Sequence, residues 1–168
     1  MKREQFLLRP LEPRDGARML EWMRDPDITK HLQIGGPNTS KESVDAFILS
    51  SCDESTNLHR AVVNSDGEYM GTISLKHIDR EKGEAEFAIS MHGSALGTGA
   101  AAAASRLMLE LAFVQLSLQR VYLNVLQANQ RAVRFYEKFG FLYTHESTLL
   151  VNGVAEILKW YEIRRQDF

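Results

Sequence analysis

Apolar and polar positions change period along this chain, and each change marks an element. "QFLLRPL" at residues 5–11 reads as a short strand, stopped by Pro10 and Pro13, whose rings fix φ and remove a donor. Helical spacing follows, with Ala17, Met19, Leu20 and Met23 apolar behind Asp15, a residue type that caps helices. "DPD" at 25–27 breaks this helix before a second short one towards Leu32. "GGPNTS" at 35–40 is a loop of turn residues ending on Ser40, the expected N-cap of a helix through Val44, Phe47 and Ile48.

From Leu58 the period becomes two. "LHRAVVN", "YMGTISLKHID" and "AEFAISM" alternate between the turns "SDGE" and "REKGE", which predicts an antiparallel meander. "AAAASRLMLELAFVQL" then returns to helical spacing, with Leu107, Leu111 and Val114 on one side and Met108 and Leu109 widening the stripe. A strand "RVYLNVLQ", a helix "NQRAVRFYEKF" and two strands, "GFLYTHESTLLV" and "VAEILKWYEI", complete the chain; Asn152-Gly153 between the last two is a strong hairpin signal. The pattern predicts an α/β (α+β) fold, with a mixed, mostly antiparallel sheet of about seven strands flanked by helices. With 168 residues and neither repeat nor linker, a single domain over 1–168 is expected.

Composition narrows the function. Twenty Lys and Arg against 22 Asp and Glu leave a net charge of -2, which does not favour a polyanion-binding surface, so no nucleic acid is expected. The N-terminal "MKREQFLLRP" lacks an apolar run of signal-peptide length, and nothing approaches a bilayer-spanning stretch, so no membrane partner and a cytoplasmic location are expected. Cys52 is the only cysteine, which excludes an internal disulfide and a cysteine-based zinc site. His31, His59, His77, His92 and His145 lack metal-ligand spacing and read as ordinary surface or core residues; no metal is expected.

"LGTGAAAAASRL" at 96–107 is the first candidate for chemistry. Gly97 and Gly99 can turn successive amides towards one point, and the helix behind them adds unpaired N–H groups and its positive dipole end. That geometry suits a pyrophosphate, although a glycine turn before an alanine-rich helix has the same spacing. Gly97-x-Gly99-x-x-Ala102 matches the dinucleotide fingerprint, but the next strand ends "NVLQ" without the acidic residue it requires, and no Gly-Lys supplies a P-loop. "NQRAVRFYEKFGF" at 129–141 is more specific: Asn129 caps a helix, Ala132 and Tyr136 share its face, and Gly140 ends it.

Together, in this order, these motifs resemble the GNAT superfamily of acetyl-CoA-dependent N-acetyltransferases. "LRPLEPRD" and "LEWMRDPDITKHL" look like the opening of the branch holding ribosomal-protein N-terminal, spermidine and nucleotide-sugar amine acetyltransferases, and "GTISL" and "AEFAI" follow in family order. The resemblance implies a splayed strand pair at the CoA site and acetyl-CoA as co-substrate. Ala95, Leu96, Gly97, Thr98, Gly99 and Ala100 would take the pyrophosphate. The backbone around Ala88, Ile89 and Met91 would take the pantetheine, helped by Asn129, with a main-chain N–H near Ile89 meeting the oxyanion. Ser94 and Leu96 stand where the family carries a Gln or Arg and a basic or small polar residue.

Tyr136 would protonate the departing thiolate, being a phenol that can donate at neutral pH. Glu84 and Glu86 point to one face of their strand and are both candidate bases; counting from the loop favours Glu84, the "AEF" context favours Glu86, and a bulge would shift the register. Arg131, Arg134 and Lys138 lie on the exposed part of the Tyr136 helix; by resemblance one could reach the 3′-phosphate of CoA, but a solvated face is the better reading. By resemblance the acceptor pocket uses the first helices and the last hairpin, with Trp22, Asp25, Asp27, His31 and Glu156 as candidates. The acceptor is a small-molecule or peptide amine, whether protein N-terminus, polyamine, amino sugar or small amine. A homodimer is left open, as is a non-catalytic acyl-CoA-binding sensor on the same fold, at which Ser94 and Leu96 hint.

Overall fold

The computed structural model describes residues 4–32 and 34–168. Seven strands form one sheet: β1 (Leu7–Arg9), β2 (Leu58–Val63), β3 (Tyr69–Asp79), β4 (Glu84–Met91), β5 (Arg120–Leu126), β6 (Leu142–Val151) and β7 (Val154–Arg164). Their order is β1-β2-β3-β4-β5-β7-β6, and every neighbouring pair is antiparallel except β4 and β5. The helix α4 (Ala100–Glu110) supplies the crossover that this one parallel pair requires.

The helices divide between the two faces. On one, α4 and α5 (Gln130–Phe139) cover the larger core, in which Ile73, Leu75, Phe87, Met108, Phe113, Val121 and Tyr161 are buried. On the other, α1 (Gly16–Arg24) and α3 (Lys41–Ser50) close a smaller core through Met19, Trp22, Val44 and Ile48 against Ala61, Val63 and Tyr69. A short helix, α2 (Pro26–Thr29), joins them after Asp25, whose carboxylate accepts from Asp27 N at 3.0 Å.

Most predicted elements are present, with three differences of detail. Asp15 begins α1, but its side chain makes no cap bond. It is buried at 3% exposure and instead takes Arg9 Nη1 and Nη2 at 2.7 and 2.8 Å and Glu12 N at 2.8 Å, fastening the first strand to the first helix. The long alanine helix ends at Glu110 and continues as a wider turn over Leu111–Gln115, with Leu116 N bonded to Leu111 O at 3.0 Å. The bulge lies in β3 rather than β4. It falls between Lys76 and Asp79, with His77 at φ 51°, so β4 keeps its alternation and Glu84 and Glu86 stay on one face. Ser40 caps α3 as expected, accepting from Ser43 N at 3.1 Å, and Asn152 and Gly153 turn the last hairpin with φ of 51° and 79°.

Candidate active site

β4 is hydrogen-bonded to β3 as far as Met91, but to β5 only over Glu84–Glu86, opposite Arg120–Tyr122. Beyond that point β5 continues to Leu126 on its β7 side. The sheet is therefore split between residues 87–91 of β4 and 123–126 of β5. This is the splayed pair that the resemblance implied, and it leaves one edge of Ala88, Ile89 and Met91 without a strand partner. Gly71 permits the close approach on the other edge, since a Cβ there would lie 2.5 Å from Met91 Sδ and 2.7 Å from Ser90 O.

The glycine loop sits just past the end of this open edge. Gly97 and Gly99 have φ of 75° and 83°, and a Cβ on either would meet nothing within 4 Å. Among the described residues, the amides of Gly97, Gly99, Ala101 and Ala102 have no protein acceptor, the first α4 bond being Ala103 N to Gly99 O. Thr98 Oγ1 accepts from Ala100 N at 3.2 Å and donates to Ala95 O, which fixes the turn from inside. Ala95 is buried and Leu96 is exposed. The residues present therefore fit a pyrophosphate, as a concave set of unpaired donors with no side chain in front of it.

Ser94, where the family pattern has a longer side chain, receives a cation from elsewhere. Arg18 of α1 donates to Ser94 Oγ at 2.9 Å and to Tyr69 O at 2.7 Å. His92 accepts from Ser94 N at Nδ1, 3.1 Å away, and meets Glu21 of α1 through Nε2 at 2.6 Å. Two side chains of α1 thus brace the start of the loop.

Tyr136 lies on the opposite side of the sheet from α1, packed edge-on against Phe87 and Phe141. Burial pushes its pKa up, with no side-chain hydrogen bond contributing, so it stays a phenol throughout the neutral range. Asn129 caps α5 through its carbonyl, accepting from Ala132 N at 3.3 Å, which leaves the amide nitrogen as a donor. Arg131, Arg134 and Lys138 are all exposed on α5.

On the α1 and α3 face a cavity of about 570 Å³ opens above the split. Its floor is Thr72, Ser74, Lys76, Ala88 and Ser90, and Trp22, Met23, Ile34 and Phe47 form apolar walls. Glu86 stands beside it on the same face, accepting from Asn124 Nδ2 at 2.9 Å, with Lys76 Nζ at 3.9 Å and His77 Nε2 at 3.5 Å. Glu84, two residues back and still inside the β5 ladder, accepts from Arg120 Nη1 at 3.0 Å, and Arg120 also grips Glu162. Glu86 is thus nearer the open edge.

Of the acceptor candidates, Trp22 reaches the cavity wall, with Nε1 donating to Tyr69 Oη at 2.9 Å. Asp25, Asp27, His31 and Glu156 do not line it, nor does any residue of the last hairpin. The sequence carried no signal for Arg18 or Lys76, and His59 read there as an ordinary histidine. His59 and Lys76 belong to the cavity, where His59 Nδ1 pairs with Ser74 Oγ at 2.6 Å. Burial, and then the charges of Lys76 and Arg60, hold the His59 pKa below its ordinary value. The β2 to β4 register is the signal that finds them, since it sets His59 opposite Ser74, Ser74 opposite Ala88 and Lys76 opposite Glu86. No sequence pattern places Arg18 beside Ser94.

This split sheet, with its amide-lined loop and a cavity on the far face, matches an acyl-CoA-dependent transferase. The chain belongs to the GNAT acetyltransferase family: a family model described as an acetyltransferase (GNAT) domain matches residues 5–142. It is an acetyl-CoA-dependent N-acetyltransferase. Spermidine N(1)-acetyltransferase of Escherichia coli is 30% identical over 139 residues, covering 80% of this chain and 71% of its own. The uncharacterized N-acetyltransferase p20 of Bacillus licheniformis is 23% identical over 141 residues, or 82% of this chain and 79% of its own. The solved structure of spermidine N-acetyltransferase from Vibrio cholerae in complex with CoA and spermine shares the fold, with a TM-score of 0.86 at 23% identity over 97% of each chain.

Proposed function

We propose that this enzyme moves the acetyl group from acetyl-CoA directly to an amine, with both substrates bound at the split between β4 and β5. The observation that carries the reading is the one-sided pairing of β4. Its free edge at 87–91 lies between a cavity on one face and the Tyr136 phenol on the other. In this reading the pyrophosphate takes the free amides of Gly97, Gly99, Ala101 and Ala102, with Ala95, Leu96, Thr98 and Ala100 shaping the turn. The pantetheine pairs with the backbone around Ala88, Ile89 and Met91, and Asn129 Nδ2 donates to it.

The amine approaches through the cavity. Its nitrogen forms the new bond to the acetyl carbon, the carbon–sulfur bond breaks, and Tyr136 donates its proton to the leaving thiolate. A main-chain N–H near Ile89 stabilises the oxyanion formed on the way. Glu86, through a water, receives the proton the amine gives up; Glu84 is held in place by Arg120. The relatives named as spermidine acetyltransferases put a polyamine among the acceptors to test. Tyr136→Phe, assayed by release of the CoA thiol, is expected to lower kcat by ~10²-fold or more with acetyl-CoA affinity nearly unchanged. Equal loss of rate and affinity, or no loss of either, contradicts the acid role.

A further inference from the structure

We propose that the acceptor is an α-amine with an apolar side chain and a neighbouring carboxylate or carbonyl, the chemistry of an amino acid or of the first residue of a peptide, and not a polyamine. This rests on the reading of the 570 Å³ cavity as the acceptor site. No described residue lining it is a carboxylate; its ionisable groups are Lys76 and His59. Carboxylates on the surrounding elements are engaged elsewhere or face out. Glu21 meets His92 at 2.6 Å, Asp45 meets Lys41 at 2.6 Å, Asp25 caps α2, and Glu42 is exposed on α3. Glu86 lies at the cavity's edge rather than in its lining, accepting from Asn124 Nδ2 at 2.9 Å.

A polyamine entering here would meet apolar walls, neutral hydroxyls and amides such as Asn38, Thr39 and Ser43, and a lysine, but among the described lining residues no carboxylate to offset its further ammonium charges. A single amine avoids that cost. Ile34 stays 54% exposed at the rim and, with Trp22, Met23 and Phe47, offers surface that suits an apolar side chain. Lys76 is bound only loosely by Glu86, at 3.9 Å, so its remaining donors can reach a carboxylate or carbonyl, as can the Ser74 and Thr72 hydroxyls beside it.

The acid–base chemistry agrees. The α-amine of a peptide titrates near ~8, so about one in ten is neutral at pH 7, against roughly one in two thousand for an alkylamine near ~10.4. A site whose one nearby carboxylate is already hydrogen-bonded suits the first better. A lysine in the wall shifts the incoming ammonium further towards its neutral form.

The test compares phenylalanine, a phenylalanyl dipeptide, phenethylamine and spermidine as acceptors in a CoA-release assay, on the native chain and on Lys76→Met and Lys76→Glu. We expect kcat/KM for phenylalanine or the dipeptide to exceed that for spermidine by about a hundredfold. Preference for the free acid assigns a small-molecule acceptor, and preference for the dipeptide a peptide N-terminus; both support the proposal. Lys76→Met should lower kcat/KM about tenfold for these two and distinctly less for phenethylamine, with an unchanged thermal midpoint as the control for folding. Lys76→Glu should move selectivity towards spermidine. Spermidine as the preferred native acceptor, or an unchanged ratio in Lys76→Met, overturns the inference and leaves the acetyl-transfer reading standing. Turnover of no amine at all overturns both.

Discussion

Trp22 donates from its indole to Tyr69 Oη at 2.9 Å, and Tyr69 Oη pairs with Thr72 Oγ1 at 2.6 Å, Trp22 and Thr72 both lining the cavity. Burial raises the Tyr69 pKa to about 12 despite these bonds, so it holds its proton at any working pH. Tyr69→Phe strands the indole N–H in a buried place and should cost about 1–3 kcal/mol, read as a lowered urea midpoint at unchanged slope. His59 gives a stability that depends on pH. Its folded pKa is depressed by burial and by Lys76 and Arg60, so the unfolded ring takes up a proton first as pH falls below ~6.5. That contribution is intact above this value and is lost as the pH descends towards the folded one. The native chain should therefore lose more stability between pH 7 and pH 5 than His59→Gln does. The two glutamates differ in their partners, Arg120 for Glu84 and Asn124 for Glu86. Glu86→Gln should lower kcat, whereas Glu84→Gln should change stability by no more than ~1 kcal/mol, because its partner Arg120 is partly exposed and keeps Glu162.

The site is held together by how elements meet at the end of β4. Gly71 on β3 lets Met91 and Ser90 lie close, and Gly71→Ala would force a Cβ to within 2.7 Å of the Ser90 carbonyl. We expect this variant to weaken acetyl-CoA binding several-fold more than it changes acceptor KM, as measured by calorimetry and steady-state kinetics. A larger effect on the acceptor would contradict the assignment of this edge to pantetheine. Gly99→Ala places a side chain at φ 83°, costing about 1–2 kcal/mol of backbone strain although the space in front is open. The elements themselves were legible because their periods are local properties: β3 runs over the residues that the alternation outlines, and α5 starts behind Asn129. The β3 bulge was not legible. Its cause is the positive φ of His77, whose N–H is held by Asn57 Oδ1 at 2.9 Å from another part of the chain. Asp15 was misread for the same reason: a cap is a local bond, and its real partner, Arg9, comes from the preceding strand.

For the whole molecule, one split in a seven-stranded sheet joins two faces with different surroundings. The face carrying α4 and α5 supplies the amide-lined loop, Asn129 and the buried phenol, and the motifs that announce them are contiguous in sequence, which is why they could be read there. The face carrying α1 and α3 supplies the cavity, assembled from α1, residues 34–40, α3 and three strands. No contiguous motif encodes it, and Lys76 and His59 enter only through strand register. The Arg18 and Glu21 bonds to the Ser94 and His92 segment tie the two faces together, so Arg18→Ala should weaken acetyl-CoA binding more than it lowers kcat. All of this rests on acetyl-CoA binding where β4 opens, and thermal unfolding of the native chain with added acetyl-CoA tests that most directly. At 100 times its dissociation constant the ligand should add about 2.7 kcal/mol, a rise in Tm of ~5–10 °C for a domain of this size. The rise should shrink at the same concentration in Gly71→Ala. No rise at millimolar acetyl-CoA would contradict the account.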